Sequence, residues 1–79
     1  MINFYTQCEK KGIYLLPDDK KFIKEQLSKL HYNDIQSALR RYIEIWHEAM
    51  SSSQSLNQHM SIGRKTANLW LLKKAKGLL

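Results

Sequence analysis

The sequence predicts an all-α protein, a compact bundle of three to four helices around a long central helix at about residues 34–50. Apolar residues recur along most of the chain at the spacing of about 3.6 residues that places them on one face of a helix. Proline, aspartate and glycine stand where such segments begin and end, as is typical of helix ends. With 79 residues, the chain has the length of one small domain.

The first segment, residues 2–11, predicts about two turns of helix that end at Gly12. Its inward-facing residues are expected to be Ile2, Tyr5 and Cys8. Four apolar residues in a row then precede Pro17, and a residue before proline disfavours the helical conformation. We therefore expect residues 13–16 to form an extended connector against the core, since no second run is available to pair with it as a strand.

Pro17, Asp18 and Asp19 mark the start of the second helix, because proline fits the first turn and aspartate complements the positive end of the helix dipole. This helix is expected to extend to about Leu30. Its core-facing side chains are Phe22, Ile23, Leu27 and Leu30. Helix capping accounts for the two adjacent carboxylates, so they do not indicate a catalytic pair.

The third helix has the clearest periodicity in the chain. Asn33 with Gln36 has the form of a capping box, which predicts a start near Asp34. The apolar positions fill an arc of about 160° on a helical projection, and we expect this arc to face the core. Its members are Ile35, Ala38, Leu39, Tyr42, Ile43, Ile45, Trp46, Ala49 and Met50.

Residues 51–55 are rich in serine and predict a loop or a frayed turn. Helix resumes by Ile62 and continues to about Lys76, with Gly77 as its cap. This last helix carries two apolar stripes: Ala67, Leu71, Ala75 and Leu78 in one, and Ile62, Thr66, Leu69 and Trp70 in the other. Either one stripe meets the core and the other meets a partner, or the whole helix inserts deeply between its neighbours.

Positive charge is concentrated in the last third of the chain. The net charge is +6; residues 1–50 carry eight Lys and Arg against seven Asp and Glu, whereas residues 51–79 carry five Lys and Arg and no acidic residue. Such one-sided charge indicates a polyanionic partner, either nucleic acid or an acidic protein surface. The alternative is a solvated segment that keeps the protein soluble.

The start of the last helix carries an unusual pair of cations. If Ser61 is the cap, Arg64 and Lys65 lie in a first turn, where the helix dipole disfavours positive charge. An anion bound at the exposed backbone amides would offset this cost, and the small Gly63 would let a phosphate approach. Alternatively, the helix begins several residues earlier and the conflict disappears.

The predicted nucleic-acid-binding residues combine this helix start with the later lysines and two arginines of the central helix. They are Ser61, Gly63, Arg64, Lys65, Lys73, Lys74, Lys76, Arg40 and Arg41. The arginines of the central helix are the weaker candidates, because Glu44 lies within one turn of both and offers an internal partner. Leu69 and Trp70 are the predicted partner interface, since interfaces concentrate aromatic anchors.

The sequence carries no motif of a catalytic or metal centre. Its three histidines are well separated, and Cys8 is the single cysteine. Glu44 and His47 make one Glu-x-x-His, but di-iron sites need a second such motif and two further glutamates. The three glycines match neither phosphate-binding loop pattern. We therefore expect neither an enzyme nor a cofactor, a metal ion or a small-molecule substrate.

Composition also predicts a compartment. The longest apolar runs have four residues, far below the roughly 20 that a membrane-spanning helix needs. The first residues have neither a basic leader nor a long apolar stretch, and a single cysteine fits a reducing environment. These features predict a cytoplasmic protein with no membrane partner.

The function predicted from these features is that of a small DNA- or RNA-binding accessory or regulatory protein, with DNA favoured, whose last helix contacts phosphates. The rival is a protein-interaction module, such as an adaptor, an inhibitor or a regulatory subunit. Such a module would dock through the same helix on a partner or on its own copy as a homodimer. A helix-turn-helix is disfavoured, because the third helix is mainly a core helix.

Overall fold

The computed structural model describes residues 2–52 and 58–79, apart from the side chain of Ile2. Four helices account for most of these residues: α1 (Ile2–Lys10), α2 (Pro17–Leu27), α3 (Tyr32–Ser52) and α4 (His59–Ala75). No strand occurs within the described ranges, and the molecule measures 36 × 27 × 20 Å. The prediction of a small all-α bundle is confirmed.

The core face of α3 lies where its periodicity predicts. Every position of the predicted apolar arc is buried or partly buried, and the positions outside the arc are exposed. Trp46 and Tyr42 are completely removed from solvent, and their ring centroids lie 5.8 Å apart. The spacing of about 3.6 residues therefore identified the central element of the bundle correctly.

Helices α3 and α4 form the most extensive helix pair of the molecule. They run antiparallel. Tyr42 lies opposite Asn68, whereas Trp46, one turn further along α3, lies opposite Gly63, which comes before Asn68 on α4. Ala67 on α4 is fully buried in this contact. Gly63 is in such close contact with α3 that a Cβ atom there would lie 2.6 Å from Nε1 of Trp46.

Helix α1 and the connector cover one side of this pair. Phe4 and Cys8 of α1 are buried; the sequence predicts the burial of Cys8 but not that of Phe4. The side chain of Ile2, which is also predicted to face inward, lies outside the described atoms. In the connector, Ile13 is fully buried but Tyr14 is 66% exposed. The predicted extended connector against the core is confirmed, although only part of it is buried, because successive side chains of an extended segment point to opposite sides.

The structure corrects two predicted helix ends. Helix α2 ends at Leu27 rather than Leu30, because the amides of Lys29 and Leu30 bond three residues back and tighten the chain into a turn. Helix α3 begins at Tyr32, where the His31 ring Nδ1 accepts a hydrogen bond from the Asn33 backbone amide at 3.2 Å. The capping box predicted from Asn33 and Gln36 is therefore wrong, since both residues are already helical.

The predicted stops at Gly12 and Gly77 are confirmed, as both glycines adopt positive φ angles of 75° and 73° just after α1 and α4. Of the loop predicted at residues 51–55, the first two residues belong to α3 and the other three lie outside the described residues. None of the described helices has the length and apolar character needed to cross a membrane.

We predict that Gly63→Ala destabilises the fold, although alanine favours helix over glycine by about 1 kcal/mol. The new methyl group would overlap the buried Trp46 indole and lie 2.9 Å from Cγ of Met50, so the two helices must separate. Overpacking of this kind costs roughly 1–3 kcal/mol. Urea unfolding followed by circular dichroism measures the change.

The matched control is Ser61→Ala, at an exposed position two residues earlier on the same helix. It should leave the unfolding midpoint close to that of the unmodified chain. A Gly63→Ala variant as stable as this control would show that α3 and α4 are not in close contact at Gly63.

Candidate functional site

Helix α4 begins before the predicted cationic start. Its first residue is His59, and the Ile62 amide already bonds to the Gln58 carbonyl at 2.9 Å. Arg64 and Lys65 are therefore the sixth and seventh residues of the helix, beyond the first turn in which the dipole acts most strongly. The premise of a helix start at Ser61 is wrong, and the alternative of an earlier start is confirmed.

Gly63 does not offer its backbone to an anion. It is buried against Trp46, and the absent side chain lets α3 and α4 approach each other. Ser61 is exposed, but it lies within α4 rather than at its cap. The reason for placing these two residues in an anion site is thereby removed.

Arg64 faces the protein, where it forms an ion pair with a buried carboxylate. Its Nε lies 2.7 Å from Oδ2 of Asp19, whose side chain is 6% exposed. Its Nη2 donates to the Tyr14 carbonyl oxygen at 3.2 Å, and its guanidinium lies 5.3 Å from the centroid of the Trp46 ring. Arg64 thus joins α4 to α2, the connector and α3.

The same carboxylate is the centre of a polar network. Its Oδ2 accepts the Leu16 backbone amide at 2.9 Å, which caps α2, and its Oδ1 accepts the Asn68 side-chain amide at 3.4 Å. The Tyr42 hydroxyl donates to the side-chain oxygen Oδ1 of Asn68. Burial, followed by the nearby Asp19 charge, raises the pKa of Tyr42, so this hydroxyl remains a donor. The predicted capping role of Asp19 is confirmed, and its pairing with Arg64 is an addition.

Three of the predicted lysines lie on the exposed side of α4, with Lys65 and Lys73 inside the helix and Lys76 directly after its last residue. At 100° per residue, Lys65, Lys73 and Lys76 fall within an arc of about 80° that also contains Leu69. All four side chains are exposed. We call these four residues the lysine face. Lys74 points elsewhere and is partly buried, so it does not belong to this face.

No carboxylate neutralises the lysine face. All seven acidic residues of the chain lie between Glu9 and Glu48, all within the described residues, and none forms an ion pair with Lys65, Lys73 or Lys76. The positive charge of this face is therefore not offset by an ion pair with an acidic side chain.

A shallow groove of about 340 Å³ runs along this side of α4. Its lining residues are Lys65, Thr66, Leu69, Trp70, Lys73 and Leu79. Leu69 is 50% exposed, whereas Trp70 is partly buried against the core. The two apolar stripes of the sequence thus have different environments, because Ala67 and Leu71 enter the core while Leu69 does not. Insertion of the whole helix between its neighbours is ruled out by the exposure of Leu69.

The two arginines of α3 lie apart from this groove. Arg41 pairs with Glu44 at 3.1 Å and with Glu48 at 3.7 Å, on the exposed side of the helix. The predicted internal pairing is confirmed for Arg41. Arg40 is exposed and lines a different cavity, which α3 shares with Asn3, Phe4 and Gln7 of α1.

No three His, Cys, Asp or Glu side chains within residues 2–52 and 58–79 come close enough to hold a metal ion. Glu44 and His47 both face solvent. Cys8 is free and 1% exposed. Burial, with a smaller effect of the nearby Glu9 charge, raises the pKa of its thiol to about 12. Cys8 is therefore a core residue in its unreactive protonated form.

Sequence reasoning missed the buried carboxylate and the contribution of Leu79 to the groove. Asp18 and Asp19 have the same local signals, and 45 positions separate Asp19 from Arg64, so nothing local distinguishes the buried aspartate from its exposed neighbour. The length of the apolar connector could have indicated that Asp19 is buried, because this connector brings the start of α2 back onto the core.

Comparison with protein families, characterised proteins and solved structures finds no match to this chain.

We predict that Asp19→Ala lowers the free energy of unfolding by about 3 kcal/mol, because it leaves the partly buried Arg64 cation without its partner. The variant also loses the cap of α2. Urea denaturation measures this loss. Asp18→Ala removes the adjacent exposed carboxylate and should leave the midpoint nearly unchanged, which makes it the matched control.

A second substitution separates the ion pair from the cap. Arg64→Met in the Asp19→Ala background removes the unpaired cation and keeps most of the apolar side chain. It should recover part of the lost stability. A double variant less stable than Asp19→Ala alone would show that the pair does not govern stability at this point.

We also predict that Cys8 is protected from alkylation in the folded chain. The raised pKa of about 12 means that the thiolate, which is the nucleophile, is scarce at pH 8. Reaction with iodoacetamide at that pH should be more than about a hundredfold slower in buffer than in concentrated urea. Mass spectrometry measures the alkylation rate in both solutions, and equal rates would mean that Cys8 is not in the core.

Proposed function

We propose that this chain is a small nucleic-acid-binding protein that contacts phosphates through the lysine face of α4. The observation that supports this function best is the grouping of Lys65, Lys73 and Lys76 on one exposed arc, with no carboxylate partner. Unpaired cations on a single face are the electrostatic feature that polyanion binding needs. The lysines of α1 and α2 stand close in sequence to Glu9, Asp18, Asp19 and Glu25, whereas residues 51–79 carry no acidic residue.

The spacing of the three lysines suits a phosphate backbone. Lys65 and Lys73 are eight residues apart, which corresponds to about 12 Å along a helix axis at 1.5 Å per residue. At about 3.4 Å per nucleotide along one strand of a duplex, this distance spans roughly three to four nucleotides. Lys76 extends the contact by almost one further turn.

The proposed contact set is narrower than the one that the sequence predicts. Arg64 already has a carboxylate, a carbonyl oxygen and an aromatic ring as partners, so it is left out. Gly63 and Lys74 are left out because of their burial, and Arg40 and Arg41 because they lie on another helix. Three phosphate contacts imply modest affinity and limited salt dependence.

A second candidate function is that of a protein-interaction module. The observation that favours it is the half-exposed Leu69 at the centre of the lysine face, beside the partly buried Trp70. An acidic and apolar protein surface, including one on a second copy of this chain, would complement that arrangement. Binding to such a surface would depend more on Leu69 and less on salt than binding to phosphates.

We predict that the chain binds short DNA at low salt, with a logarithmic salt slope of about 2 to 3. The triple variant Lys65→Ala, Lys73→Ala, Lys76→Ala should bind all sequences more weakly and reduce that slope towards zero, because phosphate contacts carry little base information. Fluorescence anisotropy of a labelled oligonucleotide across a salt series measures both quantities.

A second triple variant tests whether position matters beyond net charge. Lys11, Lys21 and Lys24 are exposed lysines of the first half of the chain, and their replacement by alanine gives the same net charge. This control should keep the affinity and the slope. Equal losses in the two triple variants would show that overall charge, rather than the lysine face, attracts the nucleic acid.

A further inference from the structure

The groove on α4 combines charge at both ends with an apolar centre. Lys65 and Lys73 stand four residues before and after Leu69, so each lies about 6 Å from it along the helix axis. Trp70 lies next to Leu69 in the lining. A bare phosphate backbone would use the lysines but would have no partner for the apolar side chains between them.

The size of the groove limits its occupant. At about 340 Å³ it lies at the lower end of the range of roughly 300–1,000 Å³ that holds small organic groups. A docked amphipathic helix needs a longer stripe with apolar anchors over about two turns. Ile62, the next exposed apolar residue of α4, lies seven positions before Leu69 and is not part of the lining. The groove therefore suits one or two planar rings better than a helix.

The exposed arc of α4 also lacks the side chains that read a duplex. Base edges in the major groove are recognised chiefly by Arg, Asn and Gln, which form paired hydrogen bonds. The two residues of these types within α4, Arg64 and Asn68, both turn towards Asp19. Lysine can donate to phosphates and to guanine, but the exposed lysine, leucine and threonine side chains lack the planar paired donors of Arg, Asn and Gln.

We infer that the lysine face binds single-stranded nucleic acid, with an unstacked base seated in the groove against Leu69 and Trp70 and the flanking phosphates on Lys65 and Lys73. This inference rests on the proposed function and specifies its substrate. Single-strand binders combine a cationic track with aromatic side chains that contact any base, since every base has an apolar face. Seating a base requires it to leave its stack, which a single strand permits and a duplex opposes.

The two tryptophans make the seating of a base measurable. Trp46 is fully buried, whereas Trp70 lines the groove, so a bound base should quench the fluorescence of Trp70 alone. The probe is oligothymidylate, with a length within the range of about 4–16 nucleotides that one small single-strand-binding domain covers. Inorganic polyphosphate, which carries the charge without bases, should compete for binding without quenching.

Two substitutions and a control test the apolar contact. Leu69→Ala should weaken oligothymidylate binding by roughly tenfold, whereas Trp70→Phe keeps an aromatic ring, so it should weaken binding less but abolish the quenching. Leu16→Ala removes a leucine of similar exposure, 53% against 50%, that does not line the groove, and this variant should bind as the unmodified chain does. Leu69→Ala changes an exposed position, so this variant keeps the fold even if Trp70→Phe loosens it.

The outcomes separate the inference from the function beneath it. Tighter binding of oligothymidylate than of a duplex of equal length, together with the losses in Leu69→Ala and Trp70→Phe, supports the inference. Equal affinity for duplex and single strand with no effect of either substitution overturns it but leaves the proposed function standing. Absence of binding to both at low salt overturns the function itself. Dimerisation that Leu69→Ala abolishes would assign the groove to a second copy of this chain.

Discussion

The ion pair between Asp19 and Arg64 fixes the arrangement of the other elements. The carboxylate caps α2, and the guanidinium contacts the connector and the Trp46 ring, so one pair of side chains joins four parts of the chain. A buried charge is tolerated only when a partner satisfies it, and therefore α4 has little freedom to rotate about its axis. Because Arg64 must face inward, Lys65, Lys73 and Leu69 must face outward.

Local rules that act within one helix account for the part of the fold that the sequence predicts. Periodicity identifies the buried face of α3 because this helix packs against α4 and α1, so the core selects one side of the helix. The glycine stops are equally local, since positive φ angles favour glycine. The start of α3 was misassigned because a histidine ring, rather than Asn33, caps the first turn.

The site depends on information that no local pattern contains. The excess of charge after residue 50 is visible in the sequence, but the choice between Arg64 and Lys65 as the exposed cation depends on the rotation of α4. That rotation is set by a carboxylate 45 positions away and by the fit of Gly63 against Trp46. A charge count therefore predicts that a cationic surface exists, whereas packing decides which residues belong to it.

The contact between Gly63 and Trp46 limits how the chain can diverge. A methyl group at Gly63 would occupy space that the indole fills, so a larger residue there requires a smaller ring on α3. Conversely, a smaller ring alone would leave a cavity beneath a glycine that cannot fill it. The two positions are thus epistatic: each sets which residues the other tolerates, and their substitutions should be strongly non-additive. In more divergent copies of this fold, they would be expected to covary.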